Sequence, residues 1–115
     1  MIFYGLKTCD TCRRARKELS AAGIDYTYKD VRADGVSIAD VTRWAGAVDG
    51  GWEKLLNKSS TTWRGLDDSV KTDLSAAMAA QLMVDNPTLI KRPLIDVDGM
   101  VSVGWTKETK ALHLG

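Results

Sequence analysis

The chain carries two cysteines, Cys9 and Cys12, and they lie in one short motif, Cys9-Asp10-Thr11-Cys12. The motif follows the apolar run Ile2-Phe3-Tyr4-Gly5-Leu6 and opens a basic amphipathic stretch from Arg13 to Leu19. A strand that delivers a CxxC pair to a helix N-terminus is a sequence arrangement for sulfur redox chemistry. The unpaired N–H groups of the first turn and the helix dipole favour a thiolate over a thiol there, and the thiolate is the nucleophile. Cys9, just before the helix, is the expected nucleophile. Lys7, Arg13 and Arg92 add positive potential to it and Asp10 subtracts some. The plainer alternative is a small buried hydrophobe, but the strand–CxxC–helix context favours chemistry. Cys12 lies three residues on, on the same helix face. It either resolves a mixed disulfide on Cys9 through an internal disulfide or is a bystander buried against the sheet. A zinc site needs about four ligands. Only His113 remains to supply one, so no metal site is expected.

Bulk properties bound the setting. A chain of 115 residues, 44% hydrophobic and 27% charged, suits one globular domain, 1–115. A formal net charge of +1 gives no general reason for direct nucleic-acid binding. No apolar run approaches the roughly 18–20 residues of a membrane span. The start Met1-Ile2-Phe3-Tyr4 reads directly into a strand, so no signal peptide is expected and the expected location is cytoplasmic. In that reducing compartment, a close cysteine pair is more often catalytic, redox-sensing or metal-binding than a structural staple.

The elements that position the cysteines follow from periodicity and punctuation. Ile2–Leu6 reads as a short buried strand. A helix runs from Thr8 or Cys9 to about Ala22, with Ala15, Leu19 and Ala22 recurring at helical spacing. Arg13, Arg14, Arg16 and Lys17 form its solvated face, and Gly23 ends it. Ile24–Asp30 alternates as a second strand, completing a βαβ unit. Ser37 caps a helix from Ile38 to Ala45, Trp52–Leu56 makes an apolar turn, and Asn57–Thr62 is a polar loop. One helix is predicted over Ser69–Asp85, with Leu74, Ala77, Met78, Gln81 and Leu82 as its face, closed by Asn86-Pro87. Leu89–Val97 and Met100–Val103 form a hairpin about Asp98-Gly99, and Thr106 caps a last helix. The tryptophans, Trp44, Trp52, Trp63 and Trp105, are expected mainly to pack the helices on the sheet. The fold class is α/β: a thioredoxin-like fold with a mixed four-stranded sheet, β-α-β then β-β-α, and an α-helical insertion at about 36–86.

Several segments also carry a family resemblance. Tyr4-Gly5-Leu6-Lys7-Thr8-Cys9-Asp10-Thr11-Cys12-Arg13-Arg14-Ala15 resembles the opening of the glutaredoxin-type arsenate reductase (ArsC) superfamily. Leu55-Leu56-Asn57-Lys58, Thr61-Thr62-Trp63-Arg64-Gly65-Leu66 and Pro87-Thr88-Leu89-Ile90-Lys91-Arg92-Pro93-Leu94 resemble its later motifs, in order. The resemblance covers nearly the whole chain and is closest to the YffB/Spx-like branch. It implies that Cys9 is the nucleophile, that Arg92 faces an anion, and that Pro93 is the cis proline opposite the cysteine, where the preceding backbone receives an extended thiol substrate. Arsenate reductases of this type bring three arginines to the oxyanion. The position of the first is Asn57 here, and that of the third falls in Val103-Gly104-Trp105, so one of three is kept. Arsenate needs several positive donors, which lowers the expectation of arsenate reduction.

The resulting expectation is a thiol-dependent reductase with Cys9 and Cys12 as catalytic residues and glutathione as co-substrate, needing no bound cofactor. Its partner is glutathione or a small thiol or disulfide, with an oxyanion as the other candidate. Arg92 and Pro93 position the substrate. Arg64 either reaches the same site or pairs with Asp67 or Asp68. Thr8, Thr11 and Asn57 are candidate hydrogen-bond donors at the thiolate, though each residue type more often caps or turns the chain. Two alternatives stand beside this one. The first is arsenate reduction proper. The second is a redox-sensing regulator similar to Spx, which binds RNA polymerase.

Overall fold

A computed structural model describes all residues, 1–115. Its sheet has the order β2-β1-β3-β4. The strands are β1 (Ile2–Gly5), β2 (Thr27–Asp30), β3 (Leu94–Val97) and β4 (Met100–Val103). β1 pairs parallel with β2 and antiparallel with β3, and β3 pairs antiparallel with β4. The parallel pair requires a crossover, which α1 (Asp10–Ala21) provides. The other helices are α2 (Ile38–Ala47), α3 (Trp52–Leu55), α4 (Thr61–Arg64), α5 (Asp68–Lys71), α6 (Ala76–Asp85) and α7 (Lys107–Leu114), with a 3-10 turn at Pro87–Leu89.

Alternation along the strands builds a core on each face of the sheet. Phe3 and Ile95 point to one face, where they pack with Cys12, Ala15 and Leu19 of α1 and with Trp105. Tyr4, Leu94 and Val103 point to the other, against Val41, Trp44, Leu55, Ala80 and Met83 of the intervening helices. Burying one such aliphatic side chain is worth about 1.5–3 kcal/mol. Trp44 is fully buried with its ring edge-on to Tyr4 at 4.7 Å between centroids. Trp52 and Trp63 pack partly buried around that same core. Trp105 sits on the α1 side, where it stacks on His113 and its indole N–H donates to Glu18.

Local signals account for most boundaries. Gly23 lies at φ +74°, and the Ile24 N–H behind it returns to the Leu19 carbonyl, closing α1. Ser37 and Asp40 form a capping box on α2. Asp98 and Gly99 both take positive φ in the two-residue turn between β3 and β4.

Other boundaries correct the sequence reading. The expected helix over Ser69–Asp85 is two helices, α5 and α6, separated by a break in which Asp73 adopts φ 55°. Ser75 caps α6 by accepting the Met78 N–H, so a residue read as helix interior is a helix start. The break changes the phase of everything after it. α6 buries Ala79, Ala80 and Met83, while Ala77, Met78 and Gln81 face solvent and Leu74 and Leu82 are half-buried. Thr61 and Thr62 belong to α4 rather than to a loop, because Ser60 caps that turn through the Trp63 N–H. β2 is shorter than Ile24–Asp30, and Leu89–Ile90 precede β3 as a 3-10 turn and an isolated bridge to Leu56.

Candidate functional site

Cys9 is the N-cap residue of α1. Its backbone is extended (φ −86°, ψ 115°), and its sulfur accepts the Cys12 N–H at 3.4 Å. That N–H is one of the donors that a helix start leaves unpaired. A sulfur in this position therefore receives both a hydrogen bond and the positive end of the dipole, each favouring the thiolate. Cys9 is half-buried, and its thiol falls below its ordinary value. Burial opposes ionisation there, but hydrogen bonding from Cys12 and the positive charge of Arg92 outweigh it. Cys12, one turn on, is 1% exposed and lies against Phe3 and Ala15. Burial, and then the neighbouring Cys9, push its thiol up to about 12. Both sulfurs are free in this structure.

Gly5 allows the close packing beneath the pair. A methyl group on it would come within 2.9 Å of the Phe3 ring, 3.2 Å of the Cys12 sulfur and 3.3 Å of the Tyr28 ring. The glycine at the end of β1 thus leaves space for the Cys12 sulfur and the Tyr28 ring at once.

Arg92 approaches from the other half of the sheet. One terminal nitrogen donates to the Thr88 and Ile90 carbonyls at 2.8 and 3.0 Å, which anchors the guanidinium, while Nε is buried without a protein partner. A buried unpaired N–H is costly, and an anionic sulfur or substrate oxygen is a suitable acceptor. The Arg92–Pro93 peptide is cis, and Pro93 is buried with its carbonyl accepting the Gly104 N–H at 2.9 Å.

The remaining candidates are placed less centrally. Thr8 is exposed in the link before Cys9, and Thr11 is half-buried in the first turn of α1. Asn57 fastens the strand-like segment before Arg92, because its N–H donates to the Leu89 carbonyl at 2.7 Å. Its side chain turns back to accept the Ser59 N–H. Arg64 is exposed at the end of α4 and pairs with neither Asp67 nor Asp68: Asp67 caps α5, and Asp68 pairs with Lys71 at 3.9 Å. The basic face of α1 also divides. Arg14 and Lys17 are exposed, whereas Arg16 lies over the Tyr28 ring at 3.8 Å and donates to the Tyr26 hydroxyl. The sequence reading passed over Asp30, which ends β2 and binds the Lys7 N–H at 3.1 Å. Its only sequence signal is an aspartate at a strand end, an ordinary turn former. No three His, Cys, Asp or Glu side chains converge as a metal cluster. No helix is long and apolar enough to cross a membrane.

A mixed sheet with a cysteine at the start of the crossover helix and an arginine–cis-proline pair ahead of β3 is a thioredoxin-like architecture. The ArsC family profile matches residues 4–111, and the chain belongs to that family. It is similar to an uncharacterized protein of Haemophilus influenzae, 41% identical over 105 residues, covering 91% of this chain and 90% of that one. Among solved structures it is similar to a YffB protein, at 36% identity and TM-score 0.90 over 99% of this chain and 98% of the other. It is also similar to an arsenate reductase (ArsC) related protein from Brucella melitensis, at 38% identity and TM-score 0.77 over 96% and 91% of the two chains. More distant is the global transcriptional regulator Spx 2 of Bacillus anthracis, 21% identical over 108 residues, covering 94% of this chain and 82% of that one.

Proposed function

We propose that the protein is a thiol-dependent oxidoreductase in which Cys9 attacks a small disulfide, with glutathione as the thiol partner. The observation that carries this is the Cys9 sulfur at the head of α1, hydrogen-bonded by the Cys12 N–H and lowered in pKa with Arg92 beside it. In the first step the Cys9 thiolate forms a disulfide with one substrate sulfur and expels the other as a thiolate. In the second step another thiol, Cys12 or glutathione, attacks the mixed disulfide and releases the bound half. Arg92 pairs with an anionic group of the substrate, and the backbone beside Pro93 lines it up.

Arsenate chemistry is less favoured by this site. Asn57 and the Gly104 region stand where that reaction's further arginines are expected, and Arg64 is exposed on α4. A second reading, a redox-sensing binding module similar to Spx, is favoured by the closeness of the two cysteines, with the Cys12 N–H 3.4 Å from the Cys9 sulfur. A Cys9–Cys12 disulfide would alter the first turn of α1.

Equilibrating the reduced protein in a glutathione redox buffer and weighing it intact separates these. Loss of two hydrogens signifies a Cys9–Cys12 disulfide, and gain of one glutathione signifies a mixed disulfide on Cys9. A protein unchanged in mass, with no exchange of a small disulfide, overturns the oxidoreductase reading. Turnover of arsenate in preference to a disulfide moves the assignment to arsenate reduction. A disulfide-bonded form that captures RNA polymerase without turnover moves it to the sensor.

A further inference from the structure

The link between β1 and Cys9 is three residues long, and its middle residue, Lys7, is held through both backbone groups by side chains from elsewhere. The Lys7 N–H donates to Asp30 Oδ2 at 3.1 Å, and the Lys7 carbonyl accepts Arg13 Nε at 3.0 Å. The Cys9 N–H returns to the Leu6 carbonyl at 3.0 Å. The segment that sets the cysteine is therefore fixed from the end of β2 on one side and from the first turns of α1 on the other.

Asp30 is an unusual residue to find here. It is charged yet buried, and its Cα is in register with Gly5 of β1. Oδ1 accepts the Arg32 and Ala33 N–H groups, both at 2.9 Å, and so closes the turn after β2. That leaves Oδ2 to reach across to Lys7. Burial works against the charge, but the N–H bonds from Ala33, Lys7 and Arg32 outweigh it and hold the carboxyl below its ordinary value. One oxygen is enough to close a turn of this kind. The second oxygen and the buried charge are explained by the bond to the cysteine-bearing link.

We propose that Asp30 is a positioning residue for Cys9. By fixing Lys7, with Arg13 gripping the same residue from the opposite side, it holds the Cys9 sulfur at the helix start where the Cys12 N–H meets it. It acts through the backbone of Lys7 and touches no substrate. The inference rests on the reading of Cys9 as the nucleophile. Sites of this kind tolerate displacements of only about 0.5 Å before they lose efficiency.

Asp30→Asn tests this with nearly unchanged shape. The amide oxygen keeps both turn bonds, while the NH₂ group is set against the Lys7 N–H, donor facing donor. The measurement is the rate of iodoacetamide alkylation of Cys9 against pH, in a Cys12→Ala background so that one thiol reports, with the melting temperature taken alongside. The expected result is an alkylation profile moved to higher pH, with about a tenfold slower reaction at neutral pH. Arg13→Lys keeps the positive charge but loses the Nε donor, and should move the profile the same way by less. It carries the test if Asp30→Asn does not fold. A lowered melting temperature with an unmoved profile assigns Asp30 to the turn alone and overturns the proposal, as does no change in either. A protein that alkylates at depressed pH but exchanges no disulfide overturns the oxidoreductase reading and leaves the positioning role in place.

Discussion

Cys9 and Cys12 are the same residue type, three positions apart on one helix, and the fold gives them opposite properties. Cys9 sits at the helix start, half-open to solvent, with its thiol lowered. Cys12 lies one turn deeper against Phe3 and Ala15, with its thiol pushed up to about 12. The difference comes from two features of the local geometry. The cap position offers an N–H group and a cation to an anion, whereas at the sheet face burial, and then the neighbouring Cys9, penalise charge. The proposed nucleophile and the candidate resolving thiol are thus distinguished by depth along one helix. On this arrangement Cys12 becomes a useful attacking group only once Cys9 is in a disulfide beside it, because proximity compensates for a low thiolate fraction.

The sharpest way to break the comparison is to exchange reactivity for bulk. Cys9→Ser should reduce disulfide exchange by about a thousandfold or more, while Cys12→Ser retains the first step and, if Cys12 is the resolving thiol rather than glutathione, accumulates the mixed disulfide. Undiminished turnover in Cys9→Ser would overthrow the assignment of roles. Arg92→Gln comes next. Removing the cation that stabilises the thiolate should slow Cys9 alkylation at neutral pH by roughly tenfold. The same change should lower the melting temperature, since the Thr88 and Ile90 carbonyls lose their donor. A lowered melting temperature with an unchanged alkylation profile would make Arg92 structural only.

The two thiols should also leave opposite marks on stability. Between its ordinary 9.0 and about 12, native Cys12 keeps a proton that the unfolded chain releases. The reduced protein should therefore lose stability as pH rises through that window. For Cys9 the sign reverses: its contribution is complete above 9.0 and is lost as pH falls through the lowered native value. Urea midpoints of the wild type and Cys12→Ala, measured from pH 8 upward, check this. Equal slopes for the two proteins in the alkaline window would contradict the burial argument. The smallest expected effect lies far from both sulfurs. Ser75→Ala removes the cap of α6 and should cost about 1 kcal/mol with Cys9 reactivity untouched, whereas a matching loss of reactivity would tie that helix to the site.

The contrast between α1 and the α5–α6 region also shows where a sequence stops being readable. Around α1 the signals are local and agree. A short apolar run, a cap-position cysteine, a helix-ending glycine and an alternating strand each specify one outcome over a few residues. Across Ser69–Asp85 the apolar residues fit one long helical stripe. The chain instead breaks at Asp73 and restarts at Ser75, and the buried side becomes Ala79, Ala80 and Met83. Packing of small alanines against α2 decided that, and periodicity within a single segment carries no information about its neighbour.

The sequence by itself determined the sulfur motif at a strand–helix junction and the βαβ and ββα halves, because each depends on residues close together in the chain, and it determined the family through motifs that recur in order along nearly the whole chain. The tertiary structure decided which side chains meet the sulfur. Arg92 arrives through the anchored segment before β3 and leaves an unpaired Nε, Arg64 stays on the surface, and Arg16 stacks on Tyr28 instead of facing water. Asp30, twenty-three residues from Lys7, is joined to the cysteine loop only because β1 and β2 pair in parallel register. Such contacts depend on the register and packing of elements distant in sequence, and a charged residue at a strand end reads the same whether its second oxygen meets water or another part of the chain.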